Sequence, residues 1–117
     1  MKQDNVIQIK SYDFAVKVVK LYQYLVEEKR EYVLSKQLVR CGTSVGANVE
    51  EAIGGQSKKD FVAKLSISYK EAREVKFWVR LLYDTGYLSL TQKNQFIDDA
   101  EELIRILAQI LKTSKGE

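Results

Sequence analysis

The sequence contains no proline and no histidine, and only one cysteine and one tryptophan. Each scarcity excludes something. Without proline, no position enforces a helix break. Six glycines fall mostly outside the periodic stretches, which favours an all-helical chain. Without histidine, the commonest general base and the commonest zinc ligand are both missing. One cysteine builds neither an internal disulfide nor a thiolate metal site, and its presence fits a reducing cytoplasm. Neither GxGxxG nor GxxxxGK[ST] occurs, so neither usual phosphate-cradling loop is present. No stretch approaches the roughly 20 apolar residues that span a bilayer. The first ten residues lack the apolar run of a signal peptide. The expectation is a cytoplasmic protein with no membrane partner, not an enzyme, with no catalytic residue, metal or cofactor.

What is present is amphipathic periodicity. The 117 residues are 45% apolar and 30% charged, enough for one soluble domain with one core. The stretch from Leu34 to Ile53 organises the rest. Leu34, Leu38, Cys41, Val45, Val49 and Ala52 recur at three- and four-residue steps and share one helix face. Beside them runs a polar stripe: Gln37, Arg40, Ser44, Asn48 and Glu51. Ser and Asn are poor helix-interior residues because they compete for backbone groups. Gly42 and Gly46 each cost about 1 kcal/mol against Ala. A helix that keeps all of these is expected to need close backbone approach and a placed polar seam.

The remaining stretches follow in order. Residues 1–10 show no helical pattern, and Ser11 is expected to cap a first helix. Its apolar face is Phe14, Ala15, Val18, Tyr22, Leu25 and Val26, widened by Val19 and Leu21. Glu27 to Glu31 form a charged exit. The second helix stops at Gly54-Gly55 through a left-handed glycine. Ser57 opens the third with a capping-box pattern closed by Asp60, and Gly86 ends it. Phe61, Leu65, Ser68, Ala72, Val75 and Val79 form the third helix's core stripe. Thr91 is the expected cap of the fourth helix. Phe96, Ile97, Ala100, Ile104, Leu107, Ala108 and Leu111 point inward there, with Asp98, Asp99, Glu101 and Glu102 outward. The reading is one all-α domain, 1–117, with helices at 12–28, 35–53, 58–84 and 92–112. Short turns make it an up-down-up-down antiparallel four-helix bundle.

Charge is distributed unevenly. The formal net charge is +3, and the excess sits in residues 1–30 and 57–90. At 100° per residue, Lys58, Arg73, Lys76 and Arg80 fall along one flank of the third helix. Asp60, Glu71 and Glu74 fall along the other, with Ile67 and Trp78. The acidic flank is expected to meet Arg40, Ser44 and Asn48. The basic flank is left for a polyanion or another subunit. Trp78 marks either an interface or packing within the chain.

These residues resemble a known family. Gln37 to Ala52 (QLVRCGTSVGANVEEA) resembles the second-helix signature of the small bundle proteins encoded in intervening sequences of bacterial large-subunit ribosomal RNA genes, some of them labelled ribosomal proteins. Lys64 to Ser68, Glu71 to Glu74, Phe77 to Val79 and Leu82 resemble its third-helix signature. The paired Gly54-Gly55 departs from the family's usual single glycine. The resemblance implies a ring-like homo-oligomer, a homopentamer, with no known catalytic activity. The accessory variability determinant of diversity-generating retroelements is a relative. For such relatives the resemblance implies binding to nucleic acid and to a reverse transcriptase.

Two functional expectations follow. One is a non-catalytic oligomeric adaptor for nucleic acid, RNA or DNA, with structured RNA foremost. Lys58, Arg73, Lys76 and Arg80, joined by Lys17 and Lys20, contact phosphates. The other is a scaffold that docks a partner protein, such as a reverse transcriptase, through its charged flanks. In either case Gln37, Arg40, Ser44, Asn48, Glu51, Glu71, Glu74 and Trp78 form a seam within or between subunits.

Overall fold

Apolar residues at helical spacing can leave water only by facing one another, and four such stripes do so here. The computed structural model describes residues 3–116, with side chains from Asn5 onward. Residues 1, 2 and 117 of the expected domain lie outside the described residues. The helices are α1 (Gln3–Glu27), α2 (Leu34–Ile53), α3 (Lys58–Asp84) and α4 (Leu90–Ser114). Among the described residues there is no strand. Each helix packs on the next and α4 returns to α1, while α1 and α3 lie across the diagonal without close backbone approach. The result is an antiparallel up-down-up-down bundle, 44 × 22 × 21 Å.

The α2 and α3 stripes are the expected ones. Leu38, Cys41, Val45, Val49 and Ala52 face Leu65, Ser68, Ala72, Val75 and Val79, and Leu82 extends the row. Each fully buried Val or Leu stabilises by about 1.5–3 kcal/mol over its exposed state. The buried Ser68 hydroxyl donates to the Val45 carbonyl at 2.8 Å, tying the two helices inside the core.

The two helical glycines of α2 mark its approach to α1. A Cβ on Gly42 would lie 2.7 Å from Val18 Cγ1, and one on Gly46 would lie 3.2 Å from the Ser11 carbonyl oxygen. Any side chain there would separate the helices.

The structure corrects four expectations. First, α1 begins at Gln3, because the stripe Phe14, Val18, Leu21 and Leu25 continues backward through Ser11 to the buried Ile7. Ser11 is therefore not a cap. It lies buried in mid-helix, its hydroxyl donating to the Gln8 carbonyl at 3.3 Å. Secondly, the α1 face is rotated from the expected one: Leu21 is buried, whereas Val19 points to solvent. Thirdly, α4 starts two residues earlier, at Leu90. Ser89 caps it, accepting from the Gln92 backbone at 3.1 Å, while Gln92 Oε1 accepts from the Ser89 backbone at 2.9 Å. Thr91 is only a first-turn residue. The α4 core uses Leu103 and Ile110, and Ala108 is exposed. Fourthly, neither Gly54 nor Gly55 is left-handed, and φ at Gly54 is −82°. Gly55 instead makes room for the Asp60 carboxylate, which a Cβ would meet at 2.5 Å.

The α3 boundaries stand as expected. Ser57 accepts from the Asp60 backbone at 3.0 Å, and Gly86 takes φ 89° just beyond the end. The α1–α2 turn contains a cap absent from the sequence reading. Glu31 accepts from the backbone N–H of Val33, Leu34 and Ser35 at 3.1, 3.0 and 2.6 Å. Burial raises its carboxyl pKa, but these donors outweigh burial and hold it below the usual 4.5.

Candidate nucleic-acid interface and polar seam

The seam residues divide into three arrangements. Arg40 reaches from α2 to α3, where its guanidinium binds Glu71 at 3.4 Å and also Glu74. Its Nε donates to Gln37 at 3.5 Å, and the Trp78 indole donates to Glu74 at 2.9 Å. Gln37, Arg40, Glu71, Glu74 and Trp78 thus form one network within the protomer. Ser44 and Asn48 do not join it. Their side chains donate to carbonyls one turn back, at Arg40 and Ser44 respectively. Glu51 pairs separately with Lys64 at 3.3 Å. The seam lies at the surface of the α2–α3 groove: Gln37, Arg40 and Glu51 are exposed, and the others are half-buried.

Cys41 lies directly beneath this network. Its thiol pKa is pushed up to about 12, first by burial and then by the Glu74 charge. Cys41, Glu71 and Glu74 place ligand-type atoms within 4.8 Å of one another. Arg40 pairs with both carboxylates and the thiol keeps its proton, so the chemistry is that of a structural ion-pair network.

The six expected phosphate contacts also separate. Arg73, Lys76 and Arg80 occupy successive turns of α3 and, with Phe77 and Ile104, line a cleft of about 230 Å³. Lys58 stands fifteen positions before Arg73, about 22 Å along the axis, and does not belong to it. Lys17 and Lys20 are on α1, diagonally across the bundle from α3. They line a different cleft with Gln92, Gln95 and Phe96 of α4.

Within the α3 cleft the cations are not equivalent. Lys76 is bound to Glu101 of α4 at 3.3 Å. Arg73 lies over the Tyr69 ring, 5.8 Å from its centroid, with Nη1 3.4 Å from the hydroxyl. Arg80 is exposed, and among the described residues no carboxylate pairs with it or with Arg73. Lys17 is held by Asp99 at 3.3 Å and Lys10 by Glu102 at 3.3 Å. The α4 carboxylates expected to face outward are thus spent largely on lysines of its two neighbours. These exposed pairs are each worth about 0–1 kcal/mol and exchange readily with other ions.

A further surface went unnoticed in the sequence. Ile9, Tyr12, Val16 and Val19 are all exposed, with Tyr12 at 66%. They recur at steps of three and four on the outer face of α1, where Tyr12, Val16 and Val19 line a shallow cleft of about 400 Å³. The signal was the second apolar stripe of α1, which was assigned in part to its core face. No helix of the described residues is long and apolar enough to cross a membrane.

Comparison with known proteins places this geometry among relatives. The sequence matches the family of 23S rRNA-intervening sequence proteins over residues 3–109. No curated protein matches it. Among solved structures it is similar to a protein of unknown function from the S23 ribosomal protein family of Bacteroides thetaiotaomicron. The two are 45% identical with a TM-score of 0.93, over 95% of this chain and 99% of that one.

Proposed function

Because the chain belongs to the 23S rRNA-intervening sequence protein family, we propose that it is a non-catalytic, cytoplasmic, oligomeric nucleic-acid-binding adaptor that takes RNA in preference. The observation that carries the reading is the α3 cleft, where Arg73 and Arg80 present guanidinium groups that pair with no carboxylate among the described residues, beside Lys76. Such groups bind phosphate through paired, planar N–H donors. They give affinity without reading sequence. Self-association strengthens the case. The apolar stripe of α1 suits a second copy, and five copies of a +3 chain carry +15.

The test is fluorescence anisotropy with a structured RNA between about 50 and 200 mM salt, where each released counterion steepens the loss of affinity. Wild-type binding should fall steeply, and Arg73→Glu/Arg80→Glu should abolish most of it. Salt-independent binding, or none at the lowest salt, overturns the reading. A second reading, a scaffold that docks a protein such as a reverse transcriptase, is favoured by the exposed apolar face of α1. On that reading Val16→Glu/Val19→Glu loses the partner or the assembly, whereas Arg73→Glu/Arg80→Glu keeps both.

A further inference from the structure

Phe77 is 54% exposed on α3, between Arg73 four residues before it and Arg80 three residues after. A phosphate-binding surface alone has no use for such a ring, because burying it elsewhere would be favourable. Its position is fixed. Trp78 meets it edge to face, with centroids 5.0 Å apart and planes at 84°, and Trp78 is itself anchored to Glu74. Two clefts share Phe77 as a wall. One is the cationic cleft of Arg73, Lys76 and Arg80. The other, of about 190 Å³, is formed with Arg80, Leu81 and Asp84.

We infer that Phe77 is a stacking platform for an unpaired nucleobase, so that the ligand of this surface is single-stranded nucleic acid. This rests on the nucleic-acid reading above and narrows its substrate. A duplex keeps its base faces inside its own stack and offers only phosphates and groove edges. A single strand offers a π-face to every aromatic it passes. The two clefts sort the nucleotide into its parts. Arg73 and Arg80 draw phosphate into the first, beside Lys76, which is paired with Glu101. In the second, Asp84 repels phosphate, while Leu81 and Phe77 supply apolar walls and Arg80 completes the lining. Asp84 also accepts a hydrogen bond from an exocyclic amine on the base.

Anisotropy at low salt tests this with a short unpaired RNA and the same strand annealed to its complement. Phe77→Ala should weaken single-strand binding about tenfold and leave the duplex unchanged, as loss of one stacked base predicts. Phe77→Trp should retain wild-type affinity for the single strand. Equal affinity of Phe77→Ala and wild type for the single strand overturns the inference, as does an equal loss on the duplex. A fall in the sedimentation mass of Phe77→Ala also overturns it, by assigning the ring to a protein interface. The Arg73→Glu/Arg80→Glu variant separates the two levels. If it keeps its affinity, the nucleic-acid reading itself fails. If it loses affinity while Phe77→Ala does not, only the stacking platform fails.

Discussion

Gly42 lacks a side chain because Val18 occupies the space that a Cβ needs. Substitution by Ala improves helix propensity by about 1 kcal/mol, while overpacking a tight contact costs about 1–3 kcal/mol. The clash should win: Gly42→Ala is expected to lose about 1 kcal/mol in urea or thermal unfolding. Trimming the neighbour isolates the cause. In the cycle of Gly42→Ala with Val18→Ala, the coupling should be favourable, because the shortened side chain leaves room for the new methyl. Additive costs would show that the α1–α2 seam has slack. Gly46 has no comparable escape, since its neighbour is the Ser11 backbone.

At the level of the helices, α2 depends on a carboxylate outside it. Glu31 satisfies three of the orphan N–H groups at the α2 start, and Arg30 before it takes φ 54° to turn the chain. Glu31→Ala should cost about 1–2 kcal/mol at neutral pH, in the range of a lost N-cap. The pH dependence follows from the depressed carboxyl pKa. The folded value lies below the ordinary 4.5, so the charged cap contributes fully above 4.5. That contribution is lost as pH falls through the folded value. Denaturant titrations of both proteins should therefore converge in acid and diverge toward neutrality. A constant gap across pH would mean that packing, not charge, is what Glu31 supplies.

The same elements show what could be read in advance. The α2 and α3 stripes were legible because a single apolar period runs through each, bounded by Gly54 and by Ser57 and Gly86. In α1 two apolar stripes share one helix, and the sequence does not say which of them faces the core. Only the partner's glycines decide it, by seating the small Ser11 against Gly46. Ser89 and Thr91 are both good cap residues, and reciprocity with Gln92 decides between them. The Glu31 cap was hidden in a charged run whose other members are exposed.

For the whole molecule, the two surfaces that matter lie on opposite corners. The basic cleft is on α3 and the apolar stripe on α1, and these helices face each other only across the diagonal. A protomer can therefore associate through one and keep the other free. Sedimentation should give a mass well above the 13.5 kDa of one chain. Val16→Glu/Val19→Glu should lower that mass without reducing helicity, because both side chains are already exposed. An unchanged mass would move the assembly surface elsewhere. The candidate site was legible in α3 alone, where projection placed Arg73, Lys76 and Arg80 on one flank. What the projection omitted was α4. Its Glu101 and Asp99 engage Lys76 and Lys17, and cross-helix register is not contained in either helix's own period.

The one thiol of the chain is sealed in the core and stays protonated, with a pKa near 12. Thiolate is the reactive form, so the folded protein should be inert to a thiol reagent at neutral pH. Cys41 then acts as a clock. Every labelling event records one opening of the bundle, and the labelled fraction over time is the opening kinetics, read without an added probe. Rapid modification of native protein would mean that α2 parts from α3 far more often than such a core allows. With RNA bound across α3, the same clock should slow, reporting occupancy through the interior of the bundle.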